Sequence, residues 1–331
     1  MERRTFLAMV PASFLAAPLA AEAQPAGKVY RVGTLFSASR EDAMPRIAAL
    51  ELGLGELGYV AGRNIVFVHR YAHPQLTGVA ELAAELVRAG VDVVVTATNP
   101  TTAAMMKATT TVPIVMAVGV EPVSAGLVAN ITRPGGNVTG LTFDVDPTQL
   151  AGKRLEILKE LVPSLSRVAV LWNVTYAPAG LRFKGTEDAG RKLGIAVISA
   201  RVREPGDLER AFAELQRARA QAVIVMSDPM TAAYAQRKRI AELAAAHRLP
   251  AIYALREFVE AGGLISYAAS LVDQYRRAAR YVDRIFKGAK AGELPVEQPI
   301  AFELWINAKA AKAIAFAIPP SLLLRADRVI E

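Results

Sequence analysis

The sequence predicts an α/β protein of two lobes, each a doubly wound parallel sheet, with a ligand cleft between them. Short β-branched runs alternate with amphipathic helical segments from Val29 almost to the C-terminus, as in successive βαβ units. That alternation pauses at Arg133-Pro134-Gly135-Gly136-Asn137 and then restarts, giving two similar halves joined near residues 144–150. A chain of 331 residues is also long enough for two domains of ordinary size.

Taken in order, Val29-Tyr30-Arg31-Val32-Gly33-Thr34-Leu35-Phe36 is a strand. Pro45 to Leu57 is a helix, because Ile47, Leu50, Leu54 and Leu57 fall on one face. Asn64 to His69 is a second strand, and Leu76 to Arg88 a helix with Leu82, Leu86 and Val87 on its apolar side. Asp92 to Thr96 is almost continuously apolar, as a strand covered by helices on both faces must be. A helix from Thr101 to Thr109 and strands at Pro113 to Val118 and Val138 to Phe143 complete the first half. The second half runs helix Gln149 to Leu161, strand Arg167 to Trp172, helix 179–193, strand 195–201, helix 206–219, strand 222–226, helix 231–246 and strand 250–253. Beyond Gly262-Gly263, strand Leu264 to Tyr267 and helix 271–287 are expected to return to the first lobe, with hinges near 144–150, 262–264 and 288–296. A strand at Ala301 to Ile306 and a helix at 307–317, stopped by Pro319-Pro320, end the chain. The expected division is 24–145 plus 263–290 for the first lobe, and 146–262 plus 291–331 for the second.

Residues 1–23 read as an address. Glu2-Arg3-Arg4-Thr5-Phe6-Leu7 precedes a short apolar run that ends Ala21-Glu22-Ala23, the marks of an export signal cut near Ala23-Gln24. The paired arginines resemble the twin-arginine version. A membrane anchor would need about 20 uninterrupted apolar residues, and Pro11 and Pro18 break this run. The absence of cysteine excludes disulfides, thiol nucleophiles, cysteine metal sites and a lipid on an N-terminal cysteine. Export to the periplasm also separates the chain from nucleotide cofactors. A net charge of +8 is spread over helices and interleaved with acids, which describes solvated faces rather than a nucleic-acid surface.

Sequence motifs for catalysis are weak. Gly53-Leu54-Gly55-Glu56-Leu57-Gly58 matches G-x-G-x-x-G, yet it ends a helix instead of opening one. Gly58 is a helix C-cap there, and Gly53 and Gly55 are close-packing positions. His69 and His73 lack a third ligand, and His247 ends a helix, so no metal is expected. No nucleophile elbow or P-loop occurs, and the expectation is a binding protein with no cofactor.

Candidate ligand contacts come from the C-terminal ends of the strands, where helix N-termini present free amides. Ser37 follows the first strand. Asn99, as N-cap with Pro100 at N1, and Thr101 follow the third. Glu121 follows the fourth, Phe143 and Asp144 the junction strand. In the second half Asn173, Tyr176, Asp228, Tyr253 and Tyr267 hold equivalent positions. Hydroxyls and amides would hold a carboxylate, an acid an ammonium, and aromatic rings a side chain, which suits a small zwitterion. Each residue alone is equally at home as a turn or cap.

The chain resembles the exported substrate-binding proteins of ABC importers, the group with tryptophan- and tyrosine-binding members. The likeness runs through Gly53-Leu54-Gly55-Glu56-Leu57-Gly58-Tyr59, Ala129 to Leu141, Gly152 to Lys159, Val168 to Asn173, His247 to Tyr253 and Arg256 to Pro299. It implies a type I periplasmic-binding fold that closes on an amino acid or related organic acid and presents it to an inner-membrane permease. A monomer is expected. Relatives often carry a glycine and an acidic or proline residue where this chain has Ala268-Ala269-Ser270 after Tyr267, and the Tyr176 loop varies among them. An exported sensor that shows its solute to a membrane receptor is the alternative role. An exported enzyme would need an acid–base cluster, and a repressor a DNA-binding segment before Val29; the sequence offers neither.

Overall fold

The computed structural model describes residues 28–72, 77–143 and 147–331, so residues 1–23, where an export signal is expected, and His73 and Asp144 lie outside the described residues. The first half forms β1 (Tyr30–Phe36), α1 (Arg40–Glu56), β2 (Ile65–Tyr71), α2 (Val79–Arg88), β3 (Val93–Thr96), α3 (Asn99–Ala108), β4 (Ile114–Gly119) and β5 (Val138–Thr142). Its five strands are parallel in the order β2-β1-β3-β4-β5. The chain continues through α4 (Pro147–Leu161), β6 (Arg167–Asn173), α5 (Ala177–Leu193), β7 (Ala196–Val202), α6 (Leu208–Arg217), β8 (Ala222–Val225), α7 (Tyr234–Ala246) and β9 (Ala251–Tyr253). Next come α8 (Glu257–Glu260), β10 (Ile265–Ala268), α9 (Leu271–Phe286), β11 (Glu303–Asn307), α10 (Ala308–Ala313), α11 (Pro320–Arg325) and β12 (Arg328–Ile330). The second sheet has seven strands in the order β12-β11-β10-β9-β8-β6-β7, parallel except where β11 runs against β10. This is the doubly wound α/β architecture expected, with helices covering both faces of each sheet.

The strand at Leu264 to Tyr267 does not return to the first lobe: β10 pairs with β9, in parallel, and with β11 in the second sheet. Its buried Ile265, beside Ile252 and Ile306, explains why. Of the two elements, α9 alone crosses back. Its Tyr275, Ala278, Ala279 and Val282 join Leu50 and Leu54 of α1 in the first-lobe core. Gly53 makes this approach possible, since a Cβ there would sit 2.6 Å from the Arg276 carbonyl oxygen. Gly55, by contrast, faces open space, so the close-packing role assigned to it does not hold. Gly58, just past the helix end, has φ +91°, the left-handed turn a helix-stopping glycine takes.

The segment after α9 stays with the first lobe before leaving it. Val296 N–H donates to the Ile131 carbonyl at 2.8 Å, and Glu297 and β5 exchange bonds with Gly140 O and Thr142 N–H. The chain therefore passes between lobes after β5, between β10 and α9, and between Glu297 and β11. The last two crossings are displaced from the expected hinges. At the crossing, the Gln274 amide donates to the Thr142 carbonyl and Arg154 Nε to the Tyr267 carbonyl at 3.1 Å.

Candidate functional site

The C-terminal ends of both sheets converge on one cavity, because all but one strand pairing is parallel and points its loops the same way. Ser37, Asp42, Arg46 and Thr98 line it from the first lobe, Phe143 from the crossing, and Tyr176, Arg182 and Asp228 from the second. A second chamber adjoins it, with Pro100, Glu121, Leu127 and Leu181 in its walls. Val120 and Tyr176 line both.

Arg182, in the second turn of α5, is 9% exposed. Its Nη1 donates to the Ser227 carbonyl at 3.0 Å and its guanidinium lies 5.7 Å from the Phe143 ring centroid. These contacts hold a planar guanidinium in the cavity wall, a group whose shape and charge suit a carboxylate. Opposite it, the Ser37 and Thr98 hydroxyls lie 3.3 Å apart.

Asp228 is buried and its carboxylate is occupied by its own loop. It accepts from Asn173 Nδ2 at 3.0 Å, Met230 N–H at 2.9 Å and Thr231 Oγ1 at 2.8 Å. Burial pushes its carboxyl above the ordinary value of 3.8, and these donors oppose that shift. Asn173 in turn sits behind Asp228, with its Oδ1 accepting from Thr175. Both therefore shape the loop, and Asp228 contributes a rim to the cavity.

The structure places the other expected residues as follows. Ser37, Phe143, Tyr176 and Asp228 line the inner cavity; Asn99 and Glu121 line the adjoining chamber, which Tyr176 shares. Asn99 is not the N-cap: Thr98 is, and Pro100 stands one position later than expected. The Asn99 amide instead accepts from Val120 N–H at 2.9 Å and donates to Val120 O at 2.6 Å, stitching α3 to the end of β4. Thr101 is fully buried and accepts from Thr98 N–H, completing the helix cap away from the cavity. Tyr253 turns under the sheet onto Phe258, ring centroids 4.9 Å apart, and Tyr267 packs on Phe302. Neither tyrosine lines the cavity.

Arg182, Arg46 and Asp42 escape a search of strand-end loops because they project from helices. Their signal is charge at the opening turns of helices that begin at the cleft. His69 Nδ1 meets Thr34 Oγ1 at 2.9 Å, and burial, with the Arg40 charge beside it, lowers its pKa. Among the described residues no group of three or more His, Asp or Glu side chains is placed to hold a metal. Among them, too, no helix is long and apolar enough to cross a membrane.

The sequence profile of the family described as ABC transporter substrate binding protein matches residues 40–330. The chain belongs to that family. A tyrosine-binding protein of Clostridioides difficile strain R20291 is 23% identical over 263 residues, covering 79% of this chain and 74% of the relative. A conserved domain protein of Vibrio cholerae superposes with a TM-score of 0.83 at 27% identity, covering 91% of this chain and all of the other. An ABC domain from Streptococcus pneumonia in complex with L-Trp matches the fold equally, with a TM-score of 0.83 at 24% identity over 92% of this chain and 100% of that one.

Proposed function

We propose that this protein is an exported solute-binding protein that captures an amino acid or related organic acid by lobe closure and delivers it to an ABC importer of the inner membrane. The observation that carries this reading is Arg182, held against Phe143 and facing the Ser37 and Thr98 hydroxyls across the cavity. Such a site holds a carboxylate between a fixed cation and neutral donors. Tyr176 offers a ring in the wall shared with the adjoining chamber, where Glu121 supplies an acid for a solute's cationic end. The Asp228 oxygens receive donors from their own loop.

Export rests on Met1 to Ala23, whose composition fits a signal removed near Gln24. The tyrosine-binding relative and the L-Trp complex support an amino acid as solute. The reading involves no chemistry on the bound molecule, only hinge closure about the chain crossings. Isothermal titration of the chain beginning at Gln24, against amino acids and small organic acids, tests it. Saturable one-to-one binding of a carboxylate is expected. Turnover of any compound, with no binding across the panel, would overturn it.

A further inference from the structure

One ion pair bridges the lobes at the rim of the cavity. Asp42 lies in the first turn of α1 and Arg237 in the first turn of α7, and Asp42 Oδ1 stands 2.7 Å from Arg237 Nη2. The two side chains are only 12% and 8% exposed. Tyr234 N–H, at the start of α7, points to Asp42 Oδ2 at 3.4 Å. Arg237 is already oriented within its own lobe, where Nη1 donates to the Ala232 carbonyl at 2.6 Å. Asp42 is likewise set by Ser39, whose Oγ caps its N–H at 3.1 Å. Each half of the pair is thus preorganised on its own lobe, and they meet only when the lobes come together.

We propose that Asp42 and Arg237 are a closure latch, a positioning pair that draws the lobes shut through protein atoms alone. The proposal rests on capture by lobe closure. Asp42 also lines the solute cavity, which Arg237 does not, so the latch reaches the solute through one residue. Because Arg237 compensates the Asp42 charge, a cationic group on a solute must compete with it. The latch therefore disfavours basic solutes and leaves the carboxylate-binding side of the cavity untouched.

Closure is a population, and a contact made in only one state biases it by the free energy of that contact. In the open form both charges return to water, so the bias is smaller than for a pair that stays buried when broken. Loss of the latch should lower the ratio of closed to open molecules by roughly tenfold.

The chain has no cysteine, so Ala48→Cys and Lys238→Cys provide one clean spin-label pair, on exposed turns of α1 and α7. Distances are measured by pulsed dipolar spectroscopy on the chain from Gln24 to Glu331, stripped of co-purified solute. The parent pair should give a major short distance. Arg237→Met, which leaves the Ser39 cap of α1 intact, should move most of the distribution to longer distances, and Asp42→Ala should do the same. The exchanged D42R/R237D pair should recover the short distance. Arg237→Lys, which keeps the charge, should retain part of it should the exchange fail to fold. An unchanged distribution in Arg237→Met overturns the latch. Solute titration on the parent protein is a separate readout: its failure would count against carboxylate capture and would leave the distance result standing.

Discussion

At the first-lobe edge of the cleft, Asn99 and Thr101 turn their polar atoms to the protein's own backbone. The second-lobe edge instead holds a buried guanidinium and a buried carboxylate, Arg182 and Asp228, each fixed by neighbouring loop atoms. Both edges occupy equivalent positions in parallel sheets. They differ in what a substitution should disturb. A self-satisfied edge is a matter of geometry, so changes there should register as stability. An edge that carries charge should register in binding and in pH dependence.

The largest expected effect falls on the geometric edge. Gly140 of β5 has φ +130°, and a Cβ on it would lie 2.1 Å from the Met116 carbonyl oxygen of the adjacent strand. Gly140→Ala should cost about 3 kcal/mol or more in denaturant unfolding, since neither backbone can yield without breaking the β4–β5 ladder. A loss below about 1 kcal/mol would show that this edge tolerates rearrangement.

Arg182→Met keeps the packing on Phe143 and removes the charge. Affinity for a carboxylate solute should fall roughly tenfold to hundredfold, the worth of hydrogen bonds to a charged group, with little change in melting temperature. Equal affinity in titration would move the charge-bearing role elsewhere on the second-lobe edge.

Asp228 sharpens the contrast through pH. Its folded carboxyl binds a proton more tightly than the unfolded one, so its contribution to stability is fully present below pH 3.8 and is lost as pH rises through the folded value. Asp228→Asn removes the titrating group and should flatten that part of the stability curve. Urea midpoints of both proteins, measured across the acid range from the ordinary carboxylate value to neutrality, would reveal it. Parallel curves would contradict it.

Glu121→Gly is the smallest. Glu121 adopts φ +44°, a left-handed backbone that costs a side-chain-bearing residue roughly 1–2 kcal/mol, while glycine's entropy offsets about half of it. A gain in stability below about 1 kcal/mol is expected. A melting temperature below that of the parent would mean the Glu121 side chain outweighs the backbone strain.

Much of the architecture was legible because hydrophobic periodicity is local. The β-branched runs at β1, β3, β6 and β8 and the helical faces between them report burial directly. Sheet membership of β10 was not, because a buried strand looks alike in either lobe and only its partners Ile252 and Trp305 reveal the sheet. In the site, strand-end position located Ser37, Phe143 and Tyr176 at the cavity. It misled for Tyr253, since alternation along a strand sends its last side chain to the core as readily as to the cleft. Arg182 was illegible for a different reason. Its only local signal is a charge in the opening turns of a helix, and which way α5 turns it is a tertiary fact.

The return of α9 and residues 292–297 to the first lobe sets the order in which the protein can mature. The apolar face of α1 that Gly53 opens has no cover until α9 has been synthesised, and β5 has no outer partner until Glu297 is made. A ribosome must therefore finish most of the second lobe before the first can close its core. The N-terminal lobe is not an early folding unit but a late one, and a chain truncated after β9 would display an unprotected sheet edge to every neighbouring polypeptide.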